Sequence, residues 1–302
     1  MKSVHPSRHI SVLLNETIEG LNLKDGGVIV DGTFGGGGHS AEVCRRSKGV
    51  KIIAIDQDKG ALAKAEDKFE GLECDLNFVN GNFRDIAEIL QKEKVEKVSG
   101  IILDLGLSSD QLENSGRGFS FMKSEPLLMT MKENPRPEDL TAQDIVNTWG
   151  EQSLADIIYG YGEERYAKRI AKGIVDARQK VKIVTTFDLV KIIKDSVPGS
   201  YAKGRINPAT KTFQALRIAV NDELGALEMG LQEGFKVLSV GGRMCVISFH
   251  SLEDRIVKRF FKELSSEGNA KLLTKKPIIA GEEELKINPR ARSAKLRILE
   301  KI

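Results

Sequence analysis

The segment DGTFGGGGHS (31–40) joins an apolar run to the start of a helical pattern. Open parallel sheets bind ligands at such junctions, where glycines admit a ligand to the backbone and the helix start offers free N–H groups. The segment has no G-K-[ST], which excludes a Walker-type phosphate loop. Gly36-x-Gly38-x-x-Ala41 fits the loose dinucleotide form, and Asp56 follows Gly36 by 20 residues at the end of a second apolar run, placed to hold ribose hydroxyls. Two further carboxylates set the charge: Asp31 precedes the glycines, and Asp104 ends a fourth apolar run. Carboxylates there repel a pyrophosphate but favour S-adenosylmethionine, which carries a sulfonium and an ammonium. Asn82 and Phe83, after a third run, are candidates to hold an adenine by a side-chain contact and a stack. A methyl donor is therefore favoured over a nicotinamide cofactor. An oxidoreductase is the rival enzyme, and a non-catalytic RNA-binding module is the rival of another class.

The elements that must position these residues are legible as patterns. GVIVDGTF (27–34), KIIAID (51–56), LNFVNGNF (76–83) and GIILDLGL (100–107) read as buried strands alternating with helical stretches. Such alternation implies an α/β fold, a doubly wound, Rossmann-like parallel sheet. After residue 107 the alternation stops. SSDQLENSGRGFSF reads as an extended loop, and consecutive helical patterns follow, SLADIIYGYGEERYAKRIAKGIVDARQ among them. A long helix is expected over TFQALRIAVNDELGALEMGLQEGFKVLS, stopped by Gly241 and Gly242, then a strand at RMCVISF (243–249) and two terminal strands at KLLT and AKLRILEKI. The organisation expected is a methyltransferase domain of residues 1–112 and 207–302 interrupted by a helical insertion, 113–206, that meets substrate RNA.

The 302 residues carry a formal net charge of +3, which hides an asymmetry. Residues 1–164 sum to −10 and residues 165–302 to +13, with 13 basic and three acidic residues in 165–217. A basic segment of this kind suits a polyanion. Lys168, Arg169, Lys172, Arg178, Lys180 and Lys182 are candidate phosphate contacts, with solvated helix faces as the ordinary alternative. The three cysteines (Cys44, Cys74, Cys245) are far apart and form no CxxC, so neither a disulfide scaffold nor a zinc ribbon is expected, and a reducing compartment is. No metal site is expected. His5 and His9 are four apart but flank Pro6 and have no Glu companion. With no apolar leader and no membrane-length apolar run, the chain reads as soluble and cytoplasmic.

The chain is similar nearly end to end to the bacterial ribosomal RNA small-subunit methyltransferase H family, the 16S rRNA cytosine-N4 methyltransferases. The resemblance rests on RHISVLLNE (8–16), DGTFGGGGHS, AIDQD (54–58), DLGLSSDQL (104–112), RGFSF (117–121), NPATKTFQALRIAVNDEL (207–224), VISFHSLEDRIVK (246–258) and NPRARSAKLR (288–297). It implies a class I methyltransferase fold and N4-methylation of a decoding-region cytidine. It also implies donor contacts from Gly37, Gly38, His39, Asp56, Phe83, Asp104 and Gln111. The partners expected are 16S rRNA and the small ribosomal subunit, with a second copy of the chain as a further candidate and no membrane. The family pattern PLDMRM reads PLLMTM here (126–131), Leu128 and Thr130 replacing an Asp and an Arg.

Transfer to an exocyclic amine is in-line, so positioning supplies most of the catalysis. The cytosine amine is a poor nucleophile that benefits from an acceptor against its N–H. Asp104 is the leading candidate, with donor binding as its other role and a backbone carbonyl as the other acceptor, since DLGL stands where general amino methyltransferases carry [DN]-P-P-[YF]. Ser108 and Ser109 are candidate base contacts, Phe119 and Phe121 candidate stacking residues or core, and His250 a candidate on the substrate side.

Overall fold

The computed structural model describes residues 10–302, so His5 and His9 lie outside the described residues. The chain divides into two compact units, one comprising Met1–Gly106 and Leu224–Ile302, the other Leu107–Glu223.

The first unit is built on one seven-stranded sheet: β1 (Val28–Asp31), β2 (Lys51–Asp56), β3 (Asp75–Asn80), β4 (Val98–Asp104), β5 (Leu238–Ser248), β6 (Ala270–Leu272) and β7 (Lys295–Lys301). The strand order is β3-β2-β1-β4-β5-β7-β6. The first five strands are parallel, and β7 and β6 add an antiparallel edge. The apolar runs of the sequence arise because both faces are covered. Ile29, Ile52, Ala54, Ile102, Cys245 and Ile247 point into one core, and their neighbours Val30, Ile53, Ile55, Ile101, Met244 and Val246 into the other. From β1 the chain winds outward to β3, then returns to place β4 on the other side of β1. Loops after β1 and β4 therefore diverge and leave a crevice at their carboxyl ends. Asp31, Asp56 and Asp104 are the last residues of β1, β2 and β4.

The second unit is helical, with an isolated bridge between Pro126 and Thr185. Three of its helices begin with reciprocal capping boxes, Ser108 with Gln111, Thr141 with Asp144 and Thr185 with Asp188. Each satisfies two N–H groups that a helix start otherwise leaves open. Ile145, Leu154, Ile158, Ile170, Ile174, Leu189, Ile193 and Phe213 form its core.

Several expectations change. The unit is wider than 113–206, because the helix Ala209–Asn221 puts Ala209, Phe213 and Leu216 into its core. The long helix expected after residue 212 is broken at Asp222, whose φ is +47°, and resumes as Glu223–Val237. Arg217 donates two hydrogen bonds of 2.8 Å to the Glu223 carboxylate across the break, and the Asn221 amide bonds the backbone of Met129 and Met131. These contacts offset the interrupted ladder. β5 also begins at Leu238, before Gly241 and Gly242 instead of after them. The pattern at 153–179 likewise divides, into Glu151–Gly160 and Ala167–Arg178, with Glu163 in the left-handed region (φ +49°) between them.

The cysteine reading is corrected. Cys44, on the helix Gly38–Arg46, and Cys74, just before β3, form a disulfide with Cα atoms 5.6 Å apart. Their 30-residue separation gives no hint of this, since the winding from β1 to β3 brings them together. Cysteine spacing is thus no argument for a reducing compartment here. Cys245 is free and buried, and burial pushes its thiol up to about 12. Among the described residues no helix is long and apolar enough to cross a membrane.

Candidate functional site

The glycine segment turns out of β1 and into the helix Gly38–Arg46. Gly37 caps that helix in the left-handed region (φ +69°), and a β-carbon on it would lie within 3.0 Å of Phe34, Phe69 and Ala65. A β-carbon on Gly38 would overlap the Ser11 hydroxyl. Only glycine at both positions lets the turn sit this tightly. Lys68, held half-buried, donates from Nζ to the Gly36 carbonyl and braces the turn.

Three carboxylates surround it. Asp56 accepts from Gly35 N–H at 2.7 Å through Oδ2 and from Asp58 N–H at 2.8 Å through Oδ1. It thereby fixes the loop to the end of β2, and each oxygen retains further lone-pair capacity for a hydroxyl donor. Burial raises its carboxyl above the ordinary value, against the pull of these backbone bonds. Asp31 is fully enclosed and accepts from Ser40 Oγ at 2.6 Å and from Thr33 N–H at 3.3 Å. Its carboxyl is pushed up to about 6, chiefly by burial; the two hydrogen bonds oppose this and the Asp56 charge adds to it. Asp104 donates its backbone N–H to Thr33 Oγ1 at 2.6 Å. Burial lifts its carboxyl well above the usual range, with Asp31 and Glu253 adding repulsion. Its Oδ1 is enclosed and has no hydrogen-bond partner among the described residues. Oδ2 faces Nδ1 of the buried His39 at 3.8 Å, while His39 Nε2 meets the Val12 carbonyl at 3.1 Å.

A set of close, desolvated carboxylates with one unsatisfied oxygen is electrostatically incomplete. It suits a cation with hydroxyl groups and penalises an added anion. The glycine cradle and the orphaned oxygen therefore fit an S-adenosylmethionine-like group and disfavour a dinucleotide pyrophosphate.

The structure brings Gly37, Gly38, His39, Asp56 and Asp104 together. Phe83 is nearby: its Cβ would lie 3.0 Å from a side chain at Gly32, while its ring packs against Gly230. The ring thus has a core role whether or not a ligand lies beside it. Asn82 is committed, its Oδ1 accepting from Arg84 N–H at 3.0 Å. Thr33, Ser40 and Lys68 escaped the sequence reading. The first two lie inside the motif, but nothing local marks Lys68.

Other candidates have different employment. His250 is the N-cap of the helix Ser251–Ser266: Nδ1 accepts from Glu253 N–H at 3.4 Å, and the Glu253 carboxylate accepts from the N–H groups of Phe249 and His250. Its Nε2 lies 3.2 Å from Glu253 Oε1, so the ring and the Glu253 carboxylate together hold the start of the helix. Ser108, Ser109 and Gln111 belong to the second unit, where Gln111 Oε1 accepts from Ser108 N–H at 3.0 Å and fixes the start of Ser109–Glu113. Phe119 is 7% exposed in the helical core, beneath the Arg117 guanidinium 5.5 Å from its centroid. Phe121 packs edge-on to Phe213. Of the basic candidates, Lys172 pairs with Asp176 at 3.4 Å and Arg178 bonds the Val146 carbonyl. Lys168 and Arg169 are exposed.

Residues 6–302 match the model of the MraW methylase family. Relatives carrying the name ribosomal RNA small subunit methyltransferase H include one from Clostridioides difficile (strain 630), 47% identical, covering 97% of this chain and 99% of its own length. One from Synechocystis sp. is 49% identical over 97% and 93% of the two chains. One from Deinococcus deserti is 50% identical, with the same coverage.

Proposed function

Because the chain belongs to the MraW methylase family, we propose that it transfers a methyl group from S-adenosylmethionine to N4 of a decoding-region cytidine in 16S rRNA. The small ribosomal subunit is its partner and the cytoplasm, where ribosomes are, its compartment. One observation carries the choice of donor: three carboxylates, Asp31, Asp56 and Asp104, end neighbouring strands around a glycine turn, and Asp104 Oδ1 is left without a partner.

When bound, the donor supplies an electrophilic methyl on a sulfonium. Asp56 holds ribose hydroxyls while keeping Gly35 in place. Gly37 and Gly38 admit the ligand to the backbone, and His39 orients the carboxyl of Asp104. Desolvation keeps Asp104 basic for a carboxylate, so its Oδ1 can accept the N–H of an amine whose lone pair is delocalised into the ring. Positioning and this acceptor account for the chemistry without a nucleophilic side chain. Within the second unit, Lys168 and Arg169 contact phosphates.

The test is mass spectrometry of small-subunit rRNA after incubation with a deuterated methyl donor. One labelled methyl on a cytidine N4 is expected; label at another atom or none overturns the reading. Calorimetry with S-adenosylmethionine should show binding to the wild type and none to Asp56→Ala. NADH binding would instead favour the oxidoreductase.

A further inference from the structure

Within the helical unit, the short helix Gly199–Ala202 and the start of Ala167–Arg178 are tied together by one buried carboxylate. Glu164 has no exposed surface. Its Oε1 accepts from Tyr166 N–H at 2.8 Å and its Oε2 from the Tyr201 hydroxyl at 2.6 Å. A buried carboxylate is tolerated only when so satisfied, so these bonds set the two rings. Tyr166 and Tyr201 meet edge to face, centroids 4.9 Å apart.

Over these rings lies Arg165, its guanidinium carbon 4.8 Å from the Tyr166 centroid and 4.9 Å from that of Tyr201. Arg169, one turn on, lies 5.9 Å from Tyr166. Such stacking holds a long side chain without neutralising its charge. Arg165, Lys168 and Arg169 are exposed, as are Lys203 and Arg205 beyond Tyr201. None of the five has an ion pair or hydrogen-bond acceptor among the described residues. The contrast with Lys172 and Lys191, paired one turn away with Asp176 and Asp195, is direct.

A solvated helix face needs no such assembly, since exposed arginines are ordinarily free to move or pair with a neighbouring acid. Here a buried Glu and two tyrosines order one guanidinium, and the cations around it remain uncompensated. We infer that Arg165, clasped by Tyr166 and Tyr201, is a preorganised phosphate anchor for the RNA strand, flanked by Lys168, Arg169, Lys203 and Arg205. The inference rests on the rRNA reading above and adds the contact that registers the strand. A guanidinium held over these rings can meet a phosphodiester with two N–H groups, and such a contact positions RNA without reading its sequence.

The experiment uses the full chain and a fluorescein-labelled single-stranded RNA, with anisotropy measured from 50 to 200 mM salt. Arg165→Gln should weaken binding about tenfold at the low-salt end and make the slope of log affinity against log salt shallower by about 0.7, the share of one phosphate. Arg165→Lys should keep the wild-type slope but recover only part of the affinity. Tyr201→Phe, which keeps the ring and frees Glu164, should weaken binding at unchanged slope. Unchanged donor affinity by calorimetry and an unchanged unfolding profile show that Arg165→Gln remains folded. Wild-type affinity and slope in Arg165→Gln, with RNA bound normally by the parent, overturn the anchor alone. A parent protein that binds no RNA overturns the rRNA reading and the anchor with it.

Discussion

Replacing Asp31 by asparagine should make the protein more stable and its donor site weaker, and the size of the first effect follows from the structure. Asp31 is 1% exposed, and burial is the main cause of a carboxyl that titrates at about 6 instead of 3.8. A raised carboxyl means that between those values the folded chain binds more protons than the unfolded one. Stability therefore falls as pH rises from about 4 to about 6 and stays reduced above. Two pKa units correspond to about 3 kcal/mol at pH 7.5. The introduced amide would keep an acceptor for Thr33 N–H, and its NH2 group could donate to Ser40 Oγ, which now donates to the carboxylate. The charge-assisted Ser40 bond is lost, so a gain of about 1–3 kcal/mol is expected at pH 7.5, shrinking towards zero near pH 4. Trp149, the only tryptophan, lies in the helical unit and would report on the wrong transition. Urea unfolding should instead be followed by hydrogen-exchange mass spectrometry of peptides covering Val28–Asp31, from pH 4.5 to 8. A stability difference that does not vary with pH, or a variant less stable than its parent at pH 8, refutes the reasoning. Weaker S-adenosylmethionine binding by the same variant would show what the unfavourable carboxylate is kept for.

Other outcomes are equally definite. Donor affinity measured by calorimetry should rise from pH 5 to 7.5 with proton release, because a cation prefers the ionised forms of Asp31 and Asp104, whose carboxyls are raised without it; Asp104→Asn should flatten that dependence. Cys44→Ser opens a loop closed across a separation of 30 residues and should cost about 3–4 kcal/mol, and reductant should destabilise the parent but not the variant in thermal unfolding. Thr130 is buried and Leu128 half-buried, so restoring the family's pair as Leu128→Asp with Thr130→Arg should change rRNA methylation little, an ion pair removed as a unit being nearly neutral; a large gain in methyl transfer would show that the site had been impaired.

Much of the first unit was legible without coordinates because its information is local. Strands buried on both faces must be apolar throughout, as Ile52–Ile55 and Ile101–Leu103 are, and a ligand loop must follow the first of them. Asp31, Asp56 and Asp104 were identifiable because each interrupts an apolar run just where it ends. The structural roles hardest to see in the sequence are those that depend on distant partners. His250, a substrate-side candidate at a strand end, also caps a helix, a task in which Ser, Thr, Asp or Asn would have been recognised at once. Phe119 sits among polar loop residues, but the fold closes a core over it. Asp222 breaks a pattern that is helical on both sides, because contacts from Arg217 and Asn221 outweigh local propensity.

The α/β class, the glycine turn, the carboxylates around it and the basic character of the later segment are all properties of neighbouring residues. Tertiary structure alone decided that Cys44 meets Cys74 and that Lys68 braces Gly36. It also decided that Tyr201 reaches back across 37 residues to Glu164 and leaves Arg165 lying on two rings. Each of those contacts closes a long loop. Its entropy is offset by the cooperative core of a whole unit, so no short window of sequence encodes it.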